Sequence, residues 1–271
     1  MKRTLIFTAL FFAAAAAHAA DSVTFGSTSA AAGMTWSESS TFTNDVTIGG
    51  VSGGAPLQVA QTSARSKQLT VREVGADGRI RSADVTYTAA TDNDAVAGKT
   101  YRVTRSGNTA EVTYASGGTP PAPELAFVAA DNPHFAQFRA YERIFGGKTF
   151  TVGSSTEPNR NDAQDLVNAS GEVTVTAISL TLRSVSSGVA TFDVSMTLRS
   201  DVKKGRAHNA QEPASGAMTL TLDGTLTVAV ATARVTSLDV TGPMHVTRTK
   251  PTGAVASDGS GNVSLHVEYG M

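Results

Sequence analysis

Apolar residues recur at every second position along most of the chain, which is the period of a β-strand with one buried face. Thr, Ser and Val dominate these segments. Because a two-residue period fixes which side chains share a face, the loop length that aligns apolar residues predicts the register of each hairpin. The pattern predicts a mainly β fold: a large curved antiparallel sheet or incomplete barrel with one short aromatic-rich helix.

Three hairpins are predicted from this alignment. For the first, a three-residue loop at 76–78 pairs Leu69 with Val85, whereas a two-residue loop would set Leu69 against Thr86. Gly78 then falls where such a loop needs left-handed backbone. The other two hairpins follow from the same argument, with loops at 106–107 and 186–188 that pair Tyr101 with Val112 and Leu180 with Val194.

Two irregular strands are predicted in the second half of the chain. The apolar positions change from odd to even numbers near Ala177, which requires a bulge or bend there. Across residues 218–230 they keep one phase, although an Asp-Gly pair lies in the middle. A turn at Gly224 would move Leu226 to the opposite face, so we interpret this segment as one long strand bent at Gly224.

One segment has a helical pattern instead. The Asp-Asn-Pro sequence at 131–133 is typical of a helix start, and the two glycines at 146–147 are typical of its end. Five of the eight phenylalanines that follow residue 19 lie between positions 127 and 150. A helix this aromatic either packs as a plug against one face of the sheet or lines a cavity. Its candidate cavity-lining residues are Phe135, Phe138, Tyr141 and Phe145.

Residues 1–19 have the three parts of a cleavable secretory signal peptide. Lys2 and Arg3 form a positive start, residues 5–17 form an apolar stretch too short to span a bilayer, and Ala-His-Ala at 17–19 fits the cleavage rule. The chain has no cysteine, which excludes a lipid anchor at the cleavage site and any disulfide. We expect export to the periplasm or the extracellular space, without lipidation.

Two regions are expected after the signal peptide. Residues 20–34 are rich in Ser, Thr and Ala and are predicted to be flexible. Residues 35–271 are predicted to form a single β-rich domain. Its halves, 35–118 and 148–271, each contain a glycine hairpin, a polar loop and a second hairpin. They represent either a duplicated half-sheet joined by the helical segment or an ordinary meander.

Composition argues against nucleic-acid binding and against a membrane-spanning barrel. The formal net charge is −1 for the whole chain, and it becomes −3 when Lys2 and Arg3 leave with the signal peptide. A near-neutral chain has no electrostatic footprint for nucleic acid. A membrane-spanning barrel is disfavoured because the C-terminus lacks a terminal aromatic residue and the aromatic residues, 6% of the chain, cluster in the predicted helix.

Catalytic and metal motifs fail on their context. A G-x-S-x-G match at 50–54 lacks a strand-to-helix elbow, and an S-x-x-K match at 200–203 lacks a helix start and partner motifs. The Asp-Asn-Asp run at 92–94 breaks the calcium-loop pattern, because Val96 stands at a ligand position. No two of the histidines beyond the signal peptide, His134, His208, His245 and His266, have metal-ligand spacing. We expect no catalytic residues, no cofactor and no metal.

The predicted curved strands at 178–198 and 218–240, together with the helix at 133–145, resemble the exported LolA-like lipoprotein-carrier superfamily. The resemblance covers most of the chain that follows the signal peptide. It implies an incomplete barrel whose concave face is covered by helices and holds acyl chains. This chain departs from that pattern in having one predicted helix.

Two functions follow as expectations. In the first, an exported non-enzymatic binding protein holds a lipid or other apolar ligand in a half-barrel cavity. In the second, a structural or protein-interaction protein of the cell envelope or secreted fraction has no small-molecule ligand. A carrier needs a cavity of several hundred Å³ beneath the helix, whereas a structural protein would have that volume filled.

Overall fold

The computed structural model describes residues 22–49, 55–106, 109–132, 135, 137–167, 173–202, 215–249 and 255–270. The predicted signal peptide at 1–19 lies outside these ranges. The helices and strands are β1 (Ser22–Thr24), β2 (Thr35–Ile48), β3 (Leu57–Val74), β4 (Ile80–Ala90), β5 (Thr100–Ser106), β6 (Thr109–Tyr114), α1 (Ala122–Asp131), α2 (Gln137–Ile144), β7 (Thr149–Thr151), β8 (Ser155–Thr156), α3 (Arg160–Leu166), β9 (Val173–Ser186), β10 (Val189–Val202), β11 (Ser215–Ala229), β12 (Arg234–Thr249) and β13 (Val255–Gly270).

Eleven strands form one antiparallel sheet in the order β6-β5-β4-β3-β2-β13-β12-β11-β10-β9-β8. The sheet does not close into a barrel, so the predicted fold class is confirmed. β2 pairs with β13, the last strand of the chain. The chain therefore runs outward from the middle of the sheet to the β6 edge, crosses to the β8 edge, and returns strand by strand to the middle. α1 and α2 lie in the crossing segment.

The first predicted hairpin is confirmed in register and in turn conformation. Leu69 pairs with Val85 and Val74 pairs with Ile80. Gly78 has a φ of 73°, the left-handed conformation that the three-residue loop requires. Alternation of apolar side chains was enough to define this register because only one loop length put the apolar set on a single face.

The hairpin between β9 and β10 also has the predicted pairing of Leu180 with Val194. Its turn is one residue tighter than predicted, since Ser186 pairs with Val189, and a bulge within the hairpin absorbs the extra residue. The predicted irregularity near Ala177 is confirmed. Thr197 pairs with Ala177, but the next residue, Leu198, pairs with Val175, so β9 has one extra residue at this point.

The long strand through Gly224 is confirmed as β11, which continues unbroken from Ser215 to Ala229. Gly224 pairs with Val194 on one side and with Val240 on the other. A Cβ atom at this position would collide with the carbonyl oxygen of Asp239 in the neighbouring strand. Glycine is therefore required for the close approach of the two backbones.

The register predicted for the hairpin of β5 and β6 was wrong by two residues. Tyr101 pairs with Tyr114, and Val103 pairs with Val112. A slip of two residues leaves every side chain on its predicted face, so alternation alone cannot distinguish the two registers. The observed register stacks the rings of Tyr101 and Tyr114, with centroids 5.5 Å apart.

The single predicted helix is replaced by three. Asp131 ends α1 rather than beginning a helix, and the next helix, α2, begins at Gln137. Proline disfavours the helical conformation of the residue before it, so the proline at 133 is a natural boundary after α1. α1 begins at Ala122, and Pro123 lies within its first turn, where proline is tolerated.

The N-terminal segment predicted to be flexible at 20–34 contributes a strand and a buried ring. β1 pairs with β7, and Phe25 is 2% exposed. Its ring centroid lies 5.6 Å from that of Phe145 and 5.5 Å from that of Phe150. Val23 and Phe25 are two positions apart, but two apolar residues in a Ser/Thr/Ala-rich stretch are too short a pattern to predict this docking.

The apolar core lies on one face of the sheet in two clusters. The larger packs α2 and α3 against β9–β13, with Phe145 and Phe192 at its centre. The smaller packs α1 against β3–β6, with Tyr87 and Tyr101 buried among valines and leucines. We call this apolar side the inner face; the opposite, outer face carries mostly Ser, Thr and charged residues.

We expect Gly224→Ala to lower the free energy of unfolding by about 1–3 kcal/mol, the usual cost of overpacking, because the new methyl group collides with the Asp239 carbonyl. Urea unfolding followed by the fluorescence of the single tryptophan, Trp36, measures the change. Thr221→Ala, an exposed position in the same strand, is the control and should change stability by less than about 0.5 kcal/mol. Equal effects of the two substitutions would contradict the close-approach explanation.

Candidate functional site

The predicted cavity-lining residues do not form one wall. Phe135 packs in the smaller core cluster, whereas Tyr141 and Phe145 pack in the larger one. The side chain of Phe138 lies outside the part of the structure that is described. The prediction had assumed one continuous helix, and the break between α1 and α2 separates these aromatic side chains.

Phe145 is one of four aromatic rings that pack together as an aromatic cage. Its ring centroid lies 5.3 Å from that of Phe192, 5.6 Å from that of Phe25 and 6.0 Å from that of Phe150. These separations are typical of favourable tilted and edge-on aromatic pairs. The side chain is completely buried, so it anchors the end of α2 in the conformation observed.

A small apolar cavity lies beneath α2. Its volume is about 10 Å³, enough for about one water molecule. The lining side chains come from α2, α3 and the facing strands; they include Tyr141, Leu166, Leu180, Met196, Leu238 and Tyr269. The described space between this helix and the sheet is thus filled by the protein's own side chains.

α1 is attached to the sheet by charge at its C-terminal end. The two carboxylate oxygens of Asp131 lie 2.7 Å from Nη1 of Arg65 and 2.8 Å from Nζ of Lys67. The hydroxyl of Tyr87 donates a third hydrogen bond, at 2.8 Å. All three partners stand on the inner face of β3 and β4. They neutralise a carboxylate at the end of the helix where negative charge is least favourable.

The Asp131 cluster continues into the sheet through Lys67, whose side chain is only 3% exposed. Its ammonium lies 3.3 Å from a carboxylate oxygen of Glu38, the residue that faces it across β2 and β3. Burial raises the pKa of Asp131, but Lys67 and Arg65 outweigh it and hold the pKa at about 2. Burial raises the pKa of Glu38, and Lys67 only partly opposes this rise.

A second carboxylate attaches the N-terminal end of α1. Glu124 accepts hydrogen bonds from Lys99 Nζ at 2.8 Å, from the hydroxyl of Tyr101 at 2.6 Å and from the hydroxyl of Tyr114 at 3.1 Å. The bonds from Lys99 and then Tyr101 lower the pKa of Glu124. A carboxylate in the first turn is also favoured by the helix dipole.

Together these contacts form what we call the α1 clasp: Glu124 and Asp131 on the helix, and their partners on the sheet, Arg65, Lys67, Tyr87, Lys99, Tyr101 and Tyr114. Positions 124, 128 and 131 share one face of a helix. Val128, between the two carboxylates, is fully buried. α1 is therefore held by two polar clusters together with the apolar contacts of residues such as Val128. α2 is held by aromatic packing and by the ion pairs of Arg143 with Asp162 and Asp165.

The sequence held an overlooked signal for the clasp. Lys67 is in phase with Leu69 and Val71, on the face predicted to be buried, and Glu38 is in phase with Trp36 and Phe42. A charge at a buried position is rare unless it is paired. The two residues also face each other across neighbouring strands, which the register of β2 and β3 would have predicted.

The motifs rejected on sequence grounds have other roles where they are described. Ser200 lies within strand β10, not at a helix start. Asp92 accepts hydrogen bonds from Arg65, next to the clasp. The residues at 50–54 lie outside the described ranges. Within those ranges, no group of three or more His, Asp or Glu side chains is placed to hold a metal ion.

The comparisons with known proteins do not identify a relative. No protein-family model matches the chain, and no curated protein matches it. A solved structure of a loop L8 deletion mutant of OmpT, an outer membrane protein of Vibrio cholerae, gives a TM-score of 0.12 at 8% identity, covering 88% of this chain and 100% of that chain. So low a TM-score carries no structural conclusion. Among the described residues, no helix has the length and apolar character needed to cross a bilayer.

We expect the stabilising effect of the Asp131 carboxylate to depend on pH. Its pKa in the folded protein, about 2, lies below its ordinary value of 3.8, so the ionised form stabilises the fold above about pH 4 and the contribution disappears as pH falls toward 2. Asp131→Asn should lower the free energy of unfolding by about 3 kcal/mol at pH 7, and the difference from wild type should shrink below pH 4. Urea unfolding followed by Trp36 fluorescence measures it.

Glu38→Gln is the matched control for the direction in which stability changes with pH. The pKa of Glu38 is raised in the folded protein, so wild type should gain stability relative to this variant as pH falls. A difference between wild type and Asp131→Asn that stays constant from pH 7 to pH 3 would contradict the proposed role of ionised Asp131.

Proposed function

We propose that this protein is an exported, non-enzymatic binding protein that accommodates a lipid or other apolar ligand between the inner face of its open sheet and the helices that cross it. The observation that carries the proposal is the crossing segment. One connection, from the β6 edge to the β8 edge, covers the apolar inner face of the sheet, and its first helix is attached by ion pairs. The resemblance to LolA-like carriers, in which helices cover an open half-barrel, supports the same proposal.

Ligand entry requires movement of the helices, because the described cavity beneath α2 holds about 10 Å³. An acyl chain would take the place of aromatic side chains such as Tyr141, and its apolar surface would offset the burial that those side chains lose. The sheet strands are fixed by continuous backbone ladders. The crossing segment is consequently the part that moves.

The α1 clasp suits such movement. When α1 withdraws, Asp131, Arg65 and Lys67 all regain hydration, and the water they gain offsets much of the lost ion-pair energy. An apolar interface of similar size has no such compensation, since its exposure to water is opposed by the full hydrophobic term. α1 is thus the cheaper of the two helices to displace, and α2 would follow only where a ligand replaces its contacts.

The first test is whether the protein carries a ligand when isolated. Purification from the exported fraction without detergent, native mass spectrometry, and solvent extraction of the sample would detect it. The proposal expects a defined apolar molecule at up to one per chain. A ligand-free protein whose spectrum is unchanged by added phospholipid or fatty acid would contradict it.

The second test weakens the clasp and measures binding of dansylundecanoic acid by its fluorescence. Asp131→Asn removes the carboxylate that holds the end of α1, so opening costs less and the dissociation constant should fall by about tenfold, equivalent to 1.4 kcal/mol. Binding is measured at pH 7 without denaturant, where circular dichroism confirms that each variant is folded.

Asp84→Asn is the matched control. Asp84 is a carboxylate that is 6% exposed and lies 2.7 Å from Nε of Arg72 and 2.9 Å from Nε of Arg102. It stands on the outer face of the sheet, away from α1. Loss of this charge should leave probe binding unchanged. Equal probe affinities in wild type and both variants would contradict an opening role for the clasp.

A second function, a structural or protein-interaction protein of the envelope or secreted fraction, is favoured by the filled interior beneath α2. In that case neither extraction nor the dansyl probe would detect binding. Asp131→Asn would then reduce stability without exposing any site for an apolar molecule. The two tests above therefore separate the two functions.

A further inference from the structure

The edge of the sheet at β9 is only partly paired. β9 has fourteen residues, but its outer neighbour β8 has two, which pair with Thr181 and Leu180. Exposed edges of sheets are templates for pairing with other chains, and proteins usually protect them with charges, short strands or proline. Residues 173–182 of β9 contain no charged side chain. The opposite edge strand, β6, is six residues long and carries Glu111.

A side chain protects the upstream part of this edge. Gln164 Nε2 donates a hydrogen bond to the carbonyl oxygen of Val173 at 2.6 Å, and its Oε1 accepts one from the amide of Val175 at 2.9 Å. A carboxamide has the same donor and acceptor as a peptide group. Gln164 therefore makes the pair of bonds that a neighbouring strand would make.

α3 holds Gln164 in position. The side chain of Asn159 accepts a hydrogen bond from the amide of Asp162 at 3.0 Å, which caps the start of the helix. Ala163 and Leu166 anchor the helix in the larger core cluster. The helix is thus fixed by its own cap and apolar contacts, and the edge bonds of Gln164 are additional to them.

A groove separates the two protected points of the edge. It has a volume of about 320 Å³ and runs along residues 175–179 of β9, with Glu157, Pro158, Arg160 and Ala163 on the other side. Within the described residues, the chain leaves β9 after β8 and returns to it at α3, where Gln164 makes the hydrogen bonds to the edge. The proline at 158 has no amide hydrogen to donate to a strand, which fits the end of the β8–β9 pairing two residues before it.

We propose that the β9 edge is a self-association surface, and that Gln164 keeps it closed. When Gln164 is withdrawn, a second copy of this chain adds its own β9 in antiparallel pairing across a two-fold axis. The occupant follows from the edge itself. Residues 173–182 of two copies are identical and uncharged, so they are mutually complementary about a two-fold axis, and their β-branched residues favour pairing. The apolar inner faces of the two sheets, at Val175 and Ile178, would continue across the junction.

Gln164→Ala tests the proposal, because alanine removes both edge bonds while favouring the α3 helix. Light scattering coupled to size exclusion should show a concentration-dependent dimer, with association strengthened at least about tenfold over wild type. Hydrogen exchange at the Val175 amide should accelerate by about tenfold or more at concentrations where the variant is monomeric. Gln68→Ala, an exposed position on the interior strand β3, is the matched control and should remain monomeric.

Gln164→Glu distinguishes loss of the hydrogen bond to the Val173 carbonyl from exposure of the β9 edge to a second chain. Its carboxylate still accepts from the Val175 amide, but it places a negative charge at the edge, so this variant should stay monomeric. Gln164→Asn, whose shorter amide cannot reach both backbone groups, should dimerise as Gln164→Ala does. The asparagine variant therefore tests the same proposal if the alanine variant does not fold.

A single cysteine locates the contact, since the chain contains none of its own. Ala177 is exposed on β9, so Gln164→Ala with Ala177→Cys should form an intermolecular disulfide on oxidation. The same background with Gln68→Cys should not. The proposal is overturned if Gln164→Ala and Gln164→Asn stay monomeric at millimolar concentration, or if their dimer forms without the Ala177→Cys crosslink.

Discussion

An apolar sheet face that must be kept from water is the constraint on which the rest of this structure depends. Eleven antiparallel strands present their buried residues to one side, and an open sheet cannot cover that side by curling onto itself. The cover comes from the crossing connection between β6 and β8, with α1 and α2, and from α3 after β8. The N-terminal segment completes it by placing Phe25 in the aromatic cage. Every element outside the main sheet is explained by this one requirement.

The two covering helices are attached by different physics. α2 packs through rings such as Phe145, and its attachment grows with the apolar area that is buried. α1 is attached through Glu124 and Asp131, and its attachment depends on charge, hydrogen-bond geometry and pH. Because water competes with ion pairs and drives rings together, the α1 clasp and the aromatic packing of α2 respond in opposite ways to the same change of conditions.

Alternation of side chains predicted the strands well because it reports directly on which face is buried. It defined the Leu69–Val85 register, the long strand through Gly224 and the irregularity at Ala177. It failed for Tyr101, where a slip of two residues leaves the faces unchanged. It also gave no account of α1, where the carboxylates of Glu124 and Asp131 flank buried Val128 and meet tyrosines and lysines of the sheet. Those partners come from strands distant in sequence, so the site appears only after the sheet has formed.

Pairing of β2 with β13 has a consequence for the order of folding. Two strands that are distant in sequence meet at the middle of the sheet. Phe42 of β2 pairs with Leu265 of β13, and these residues are more than two hundred positions apart. β2 through β6 can form as a local meander while the chain is still being made, but one side of β2 has no neighbour until the last strand arrives. Closure of the central pair must therefore be the late, slow step of folding. During synthesis, the edge most open to pairing with another chain is therefore that of β2, which lies at the centre of the finished sheet.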